Sequence, residues 1–264
     1  VSDAGEASRA EGPQPPRDDL TERVAAHPFW YHVLDLGGGV MTPGVWDLRA
    51  VLHRLPWPEV AGRRCLDIGA FDGFYAFELE RRGAAEVVAV DLADPAQLDW
   101  PRNVRPGIGD PGWDERYGPG GFDPAAGFRL AAEALGSQAH WRAGSIYDLD
   151  PAEVGTFDVV VCGSLLLHLR DPVRALEAVR SVCGGHLLSV DVIDPWLTLL
   201  QPRRPAARLD GMGNRCQWWI PNAAGHHRML ASAGFEAEEV VRALAIPNRN
   251  RNLHRGLGGL VARA

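Results

Sequence analysis

The sequence holds no lysine: all 27 of its basic residues are arginine, a bias that goes with its alanine and glycine load and points to a high-GC bacterial genome. Acidic residues outnumber basic ones, 34 to 27, and the resulting formal net charge of −7 argues against a broad basic surface for nucleic acid. No apolar stretch reaches the roughly 18 residues of a membrane span, and no signal-peptide core stands near the start, so the expectation is a cytoplasmic protein without a membrane partner. The four cysteines, Cys65, Cys162, Cys183 and Cys216, lack CxxC spacing and are expected to be reduced, structural thiols. Paired-histidine and acidic-ligand spacings are also missing, so no metal site is predicted.

What is present is 264 residues, 46% of them hydrophobic, enough for one sizeable core with an added lid. The chain is organised around RRCLDIGAFDGFYAFELERRGAAEVVAVDL, Arg63 to Leu92. An apolar run ends at Ile68, Gly69-Ala70-Phe71-Asp72-Gly73 is a turn, Phe74 to Arg82 has helical spacing, and Glu86 to Val90 is a second apolar run before Asp91. Strand, glycine turn, helix and strand make a right-handed crossover that sends both strand ends to one edge, where open α/β sheets bind ligands. Gly69 and Gly73 let backbone approach a ligand with no Cβ between. Asp91, 22 residues after Gly69, is placed to accept hydrogen bonds from both hydroxyls of a ribose. Asp67 and Asp72 flank the turn, and two carboxylates there repel a pyrophosphate and suit a cation.

DIGAFDG resembles the first motif of the class I S-adenosylmethionine-dependent methyltransferases, D/E-x-G-x-G-x-G, with Phe71 standing where the middle glycine is expected. The resemblance implies S-adenosylmethionine as cofactor and an α/β, Rossmann-like fold, a seven-stranded sheet with helices on both faces whose last strand inserts antiparallel. It also implies cofactor contacts along Asp67, Gly69, Ala70, Phe71, Asp72 and Gly73, then Asp91 and Leu92, with Ser145 and Ile146 against the adenine and Gly163 and Ser164 at the end of the fourth strand.

In chain order, residues 1–17 bury almost nothing and read as a disordered tail. Residues 18–57 form an N-terminal helical and aromatic segment: a helix over Asp19 to Ala26 capped by Asp18 or Asp19, then HPFWYHVLDLGGGVMTPGVWD, then helical spacing from Trp46 to Leu55. The aromatic stretch either covers one sheet edge or folds Trp30, Tyr31 and His32 over the cofactor as a lid. Residues 58–264 form the catalytic domain, with insertions near 93–127 and 193–221; a loop as long as the first is usually functional or disordered. A helix from Phe128 to Leu135 leads to a third strand near Ala139 to Arg142, and Phe157 to Gly163 is a central strand buried on both faces. Gly185 to Val192 is a fifth strand and Asn222 to Ala233 a helix closed by Gly234. Phe235 to Val241 and Leu257 to Ala264 are two last strands making a hairpin-like edge. Most of the nine tryptophans fall outside these strands, and Trp30, Trp113, Trp196, Trp218 and Trp219, with His32, are expected around a flat or apolar substrate.

Four stretches narrow the resemblance: WYHVLDLGGGVMTPG, DIGAFDGFYAFELERRGAAEVVAVD, CGSLLLHLRDPVRALEAVRSV and WWIPNAAGHHRMLASAGF. Together, across Pro28 to Val241, they are similar to the group of the tRNA wobble-uridine carboxymethyltransferase, also called tRNA 5-methoxyuridine methyltransferase-like. That enzyme holds a carboxylated S-adenosylmethionine with an Arg, a Tyr and a Lys. Arg215, six residues before Pro221, matches the Arg; Leu167 stands at the Tyr position, and there is no Lys. Two of the three anchors are thus missing, so the expectation is ordinary S-adenosylmethionine and methyl transfer to the O, N or C of a small aromatic or polycyclic metabolite of bacterial secondary metabolism. Modification of a tRNA wobble uridine is the alternative, though nucleic acid is disfavoured by the acidic balance; a non-catalytic S-adenosylmethionine-binding protein is another. If the nucleophile must lose a proton, His168, just past the fourth strand, is the first candidate base, and His226 and His227 follow.

Overall fold

The structure, a computed structural model of the chain, describes residues 17–101, 123–211, 217–246 and 255–263. The expected tail up to residue 16, Trp113, Arg215 and Cys216 lie outside the described residues. Among the described residues no helix is long and apolar enough to cross a membrane, and no cluster of metal-ligating side chains occurs.

Helix α1 (Arg17–Ala26) opens the described chain; Asp18 and Asp19 therefore lie within it and not at its cap. The central unit is β1 (Arg64–Ile68), α2 (Phe74–Arg81) and β2 (Glu86–Asp91), with β1 and β2 parallel and Ile68 opposite Val90. Next come α3 (Pro124–Leu135), β3 (His140–Ala143), the one-turn α4 (Pro151–Val154), β4 (Phe157–Gly163), α5 (Pro172–Val182) and β5 (Cys183–Val192). The chain closes with α6 (Pro195–Leu200), β6 (Ala207–Leu209), β7 (Trp219–Pro221), α7 (Ala223–Ser232), β8 (Glu236–Ile246) and β9 (Arg255–Arg263). Asp123, Asp150, Asp171 and Asp194 each cap a helix with proline in its first turn, where a missing N–H costs nothing.

The seven-stranded sheet has the order β3-β2-β1-β4-β5-β9-β8. β9 is antiparallel to both neighbours and sits between β5 and β8, so β8 alone of the last two strands is an edge. On one face of the sheet α2 and α3 pack with Val159, Val161, Leu188 and Val190; on the other, α5 and α7 pack with Leu66, Val160, Cys162 and Leu187. β4 has fully buried residues pointing into both clusters, as its unbroken apolar run requires.

The N-terminal segment differs from expectation. Trp46 to Leu55 is not a helix; only Leu52–Arg54 makes a 3₁₀ turn. Trp46 is held in a bridge to His32, and the Asp47 carboxylate accepts from the Arg49 N–H, a local turn that competes with helical bonds. The buried Trp46, Leu48, Val51, Leu52 and Leu55 instead join the α2 side of the core, so most of residues 18–57 is a layer over that sheet face. Thr42 closes the loop, its hydroxyl accepting from Leu34 N and donating to His32 O. Tyr31 and His32 reach the glycine turn through their backbone N–H groups, and Phe29 reaches it through its ring against Phe71. The second insertion folds into α6 and the antiparallel pair β6-β7.

Candidate functional site

The strand register brings the expected cofactor residues to one edge. Ile68 is paired with both Val90 and Cys162, and Asp91 with Ala143, so Gly144, Asp91, Gly69 and Gly163 follow one another across the carboxyl ends of β3, β2, β1 and β4. Gly69 N donates to Val90 O at 2.8 Å, and Gly144 N to Asp91 O at 2.9 Å, which locks the turns to the strand ends. Gly69 has φ +74° and Gly73 +86°, and a Cβ on Gly69 would lie 2.8 Å from the Leu165 side chain.

Phe71, the departure from the glycine motif, keeps the glycine conformation, with φ +47°. Left-handed backbone costs such a residue about 1 kcal/mol. Its ring compensates by packing edge-on to Phe29 and Tyr31, at centroid distances of 5.9 and 6.0 Å. Ser164, at φ 52°, is the second non-glycine residue of this kind, and it too lies at the edge, its N–H donating to Val190 O.

Asp91 accepts from Phe71 N and Leu92 N, both at 2.7 Å, which fixes its carboxylate at the end of β2. Burial pushes its pKa up to about 6, the two N–H groups hold it back, and the Asp72 charge adds to the rise. Beside it a cleft of about 470 Å³ is lined by Leu92, Gly144, Ser145 and Asp148, a size that suits an adenosine. Ser145 caps the 3₁₀ turn Ile146–Asp148, accepting from Tyr147 N, while Ile146 is buried and does not line the cleft.

Asp67 is 1% exposed. Its Oδ2 accepts from Ala76 N at 2.9 Å, whereas its Oδ1 has no hydrogen-bond partner. Burial pushes this carboxyl up to about 8, with the Asp91 and Asp72 charges adding to the rise and the Ala76 N–H opposing it. A buried acid with an idle oxygen fits the cationic head of S-adenosylmethionine.

Asp72 is placed otherwise than expected. Its Oδ2 accepts from Tyr31 N (3.0 Å) and His32 N (2.7 Å), and its Oδ1 lies 2.5 Å from His32 Nδ1. The carboxylate is thus the anchor of the N-terminal segment, and His32, expected on the substrate, is buried and stacked on Phe74 at 4.9 Å. Trp30 is likewise a core residue, 2% exposed, with its indole N–H on Val24 O.

Trp218 and Trp219 fasten the second insertion down. The Trp218 indole donates to Asp99 O and the Trp219 indole to Arg170 O, and Trp218 N donates to Leu167 O. Asp99 also accepts from Tyr147 OH and Arg170 N, and Tyr147 OH accepts from Asp171 N. HLRDP and WWIPN therefore interlock through Asp99 and Tyr147, two residues whose type and spacing gave no sign of the role. Trp196, in contrast, is 71% exposed on α6.

The three histidines part company. His168 ends the 3₁₀ turn Leu166–His168 just past β4 and is half-buried at the edge. His226 is buried, its Nε2 is 2.8 Å from Ser189 Oγ, and burial lowers its pKa to about 4. The cavity it shares with Asp191, Leu167 and Trp219 is about 10 Å³, room for one water and no acceptor. His227, next along α7, is exposed to solvent.

Comparison with known proteins agrees with this geometry. A family model described as a methyltransferase domain matches residues 47–240. The ubiquinone biosynthesis O-methyltransferase of Xanthomonas euvesicatoria pv. vesicatoria (strain 85-10) is 28% identical over 206 residues, covering 73% of this chain and 71% of that protein. The tRNA U34 carboxymethyltransferase of Ectopseudomonas mendocina (strain ymp) is 25% identical over 69% of this chain, which spans only 47% of that relative. Among solved structures, the N-terminal domain of EvdMO1 with SAH bound aligns over 95% of this chain and 98% of its own, at TM-score 0.57 and 17% identity. The cyclase SpnF aligns over 93% and 92%, at TM-score 0.56 and 16% identity, which shows a shared fold alone.

Proposed function

The chain belongs to the methyltransferase-domain family and is an S-adenosylmethionine-dependent methyltransferase, and from that premise we propose that its acceptor is a small aromatic or polycyclic metabolite, methylated first of all on a hydroxyl oxygen. The observation that carries this reading is an apolar face left in solvent beside the binding edge. Trp196 (71% exposed), Leu199 (68%), Leu200 (73%) and Leu209 (58%) all stand on the insertion that follows the carboxyl end of β5. Large apolar side chains exposed to water on a segment that leaves the sheet's carboxyl edge are what a flat, poorly soluble acceptor would cover. The name of the Xanthomonas relative supports oxygen as the acceptor atom.

S-adenosylmethionine, when bound, supplies a methyl group on a positive sulfur, open to in-line displacement. Asp91 would hold the ribose through its hydroxyls, the Leu92–Ser145 cleft would take the adenine, and Asp67 would face the charged head. His168, at the edge past β4, removes the hydroxyl proton as the oxygen attacks; His226, its Nε2 engaged by Ser189 and facing a one-water cavity, does not. Wobble-uridine modification is the second reading, favoured by the carboxymethyltransferase relative; Leu167 and the lack of lysine weigh against it.

The test is to supply isotopically labelled S-adenosylmethionine with a panel of hydroxylated aromatic and polycyclic compounds and, separately, with bulk tRNA, and to follow the label by mass spectrometry. Labelled small molecules and unlabelled tRNA are expected. Label on tRNA alone would overturn the proposal.

A further inference from the structure

Tyr75 lies on the first turn of α2 and had no place in the expected site. It is 3% exposed, and its hydroxyl has no hydrogen-bond partner. A phenol buried in that way loses the water it bonded when unfolded, so such a group is retained where something else satisfies it. Its ring reaches from α2 to the end of β4 and comes up against Gly163, where an added Cβ would sit 2.0 Å from the ring's Cε2. Gly163 is therefore the residue that lets the ring through. The hydroxyl is an electrostatic neighbour of Asp67, Tyr31 and Asp191, and burial first, then these acids, hold the phenol un-ionised by raising its pKa.

Two buried, idle oxygens thus stand at the same strand ends, Asp67 Oδ1 on β1 and the Tyr75 hydroxyl beside β4. Both can accept, and an ammonium carries three N–H donors. We infer that Tyr75 is a cofactor-binding residue whose hydroxyl, together with Asp67 Oδ1, accepts hydrogen bonds from the ammonium of the cofactor's amino-acid head. The inference rests on S-adenosylmethionine as the methyl donor and adds a residue that discriminates the head of that molecule. The adenosine half is held elsewhere, at Asp91 and the Leu92–Ser145 cleft, so removal of the hydroxyl acts on one half of the ligand only.

The experiment compares the full-length parent with Tyr75→Phe, which keeps the ring against Gly163. Each is titrated calorimetrically with S-adenosylhomocysteine, its deaminated analogue and 5′-methylthioadenosine, which lacks the amino-acid half. The variant should bind S-adenosylhomocysteine about tenfold more weakly, the usual effect of losing one hydrogen bond to a charged group, and the other two compounds unchanged. Its melting temperature should equal or exceed the parent's, because an unsatisfied hydroxyl has gone. Equal losses for all three ligands would mean that Tyr75 only shapes the fold. Equal losses for S-adenosylhomocysteine and its deaminated analogue would move the contact to the carboxylate, and no loss at all would remove Tyr75 from the site; each overturns the inference. A parent that binds none of the three would instead overturn the donor assignment.

Discussion

If Asp67 receives the ammonium of the cofactor, binding must release a proton. In the free protein burial and the nearby Asp91 and Asp72 charges push the carboxyl up to about 8, from an ordinary 3.8. Roughly nine-tenths of the molecules therefore carry the proton at about pH 7, and a cation against Oδ1 displaces it. The linkage has a definite size: affinity for S-adenosylhomocysteine should rise about eightfold between about pH 6.5 and 7.5, with close to 0.9 proton released per site near pH 7. Asp91, pushed up to about 6, titrates below that window. The assay is calorimetry in two buffers of small and large ionisation enthalpy; the apparent enthalpy should differ between them in proportion to the protons released. In Asp67→Asn the difference should vanish and affinity should be weaker and flat with pH. A parent whose binding enthalpy ignores the buffer and whose affinity is level from pH 6.5 to 7.5 would refute the reasoning. The same shift works against the stability of the free fold: unfolded Asp67 ionises near 3.8 and folded Asp67 near 8, so its contribution falls as pH rises through that window.

Phe71→Gly should be more stable than Phe71→Ala by about 1 kcal/mol in urea unfolding, because both lose the ring and only glycine relieves the left-handed backbone; equal stabilities would contradict the strain. Asp72→Ala strips the hydrogen bonds to Tyr31 N, His32 N and His32 Nδ1 and should cost about 3 kcal/mol, with Tyr31 and His32 more open to proteolysis; a loss under about 1 kcal/mol would deny the anchor. His226, lowered to about 4 by burial, stays neutral in the fold while the unfolded chain takes up a proton below its ordinary 6.5. Stability should therefore fall by up to about 3 kcal/mol as pH drops from 6.5 to 4, and His226→Gln should lack that part of the slope; identical slopes would count against burial as the cause.

Strands whose burial is two-sided were open to sequence reasoning, because VVVC and its like leave no polar alternative. β5 starts at Cys183, two residues before the expected Gly185, since Cys183-Gly184-Gly185 has no apolar run and its pairing comes from Phe157 opposite Cys183. Helical spacing from Trp46 to Leu55 was a true sign of burial and a false sign of helix: the same apolar residues pack from an irregular backbone. The acids around the glycine turn were visible, but not that Asp72 would be taken up by a chain segment 40 residues earlier while Asp67 kept an idle oxygen. His226 and His227 looked alike; neighbours on a helix point about 100° apart, and one is buried while the other is in water. Tyr75 and Tyr147 carry no motif, and only the burial of the first and the partners of the second reveal them.

The measurement that bears most directly on the account is a side-by-side titration of the purified protein with S-adenosylmethionine and its carboxylated analogue. The account predicts binding of the plain donor with no gain from the extra carboxylate, since Leu167 stands where a tyrosine would hold it and the chain has no lysine. A clear preference for the carboxylated donor would contradict it and make carboxymethyl transfer the activity to pursue.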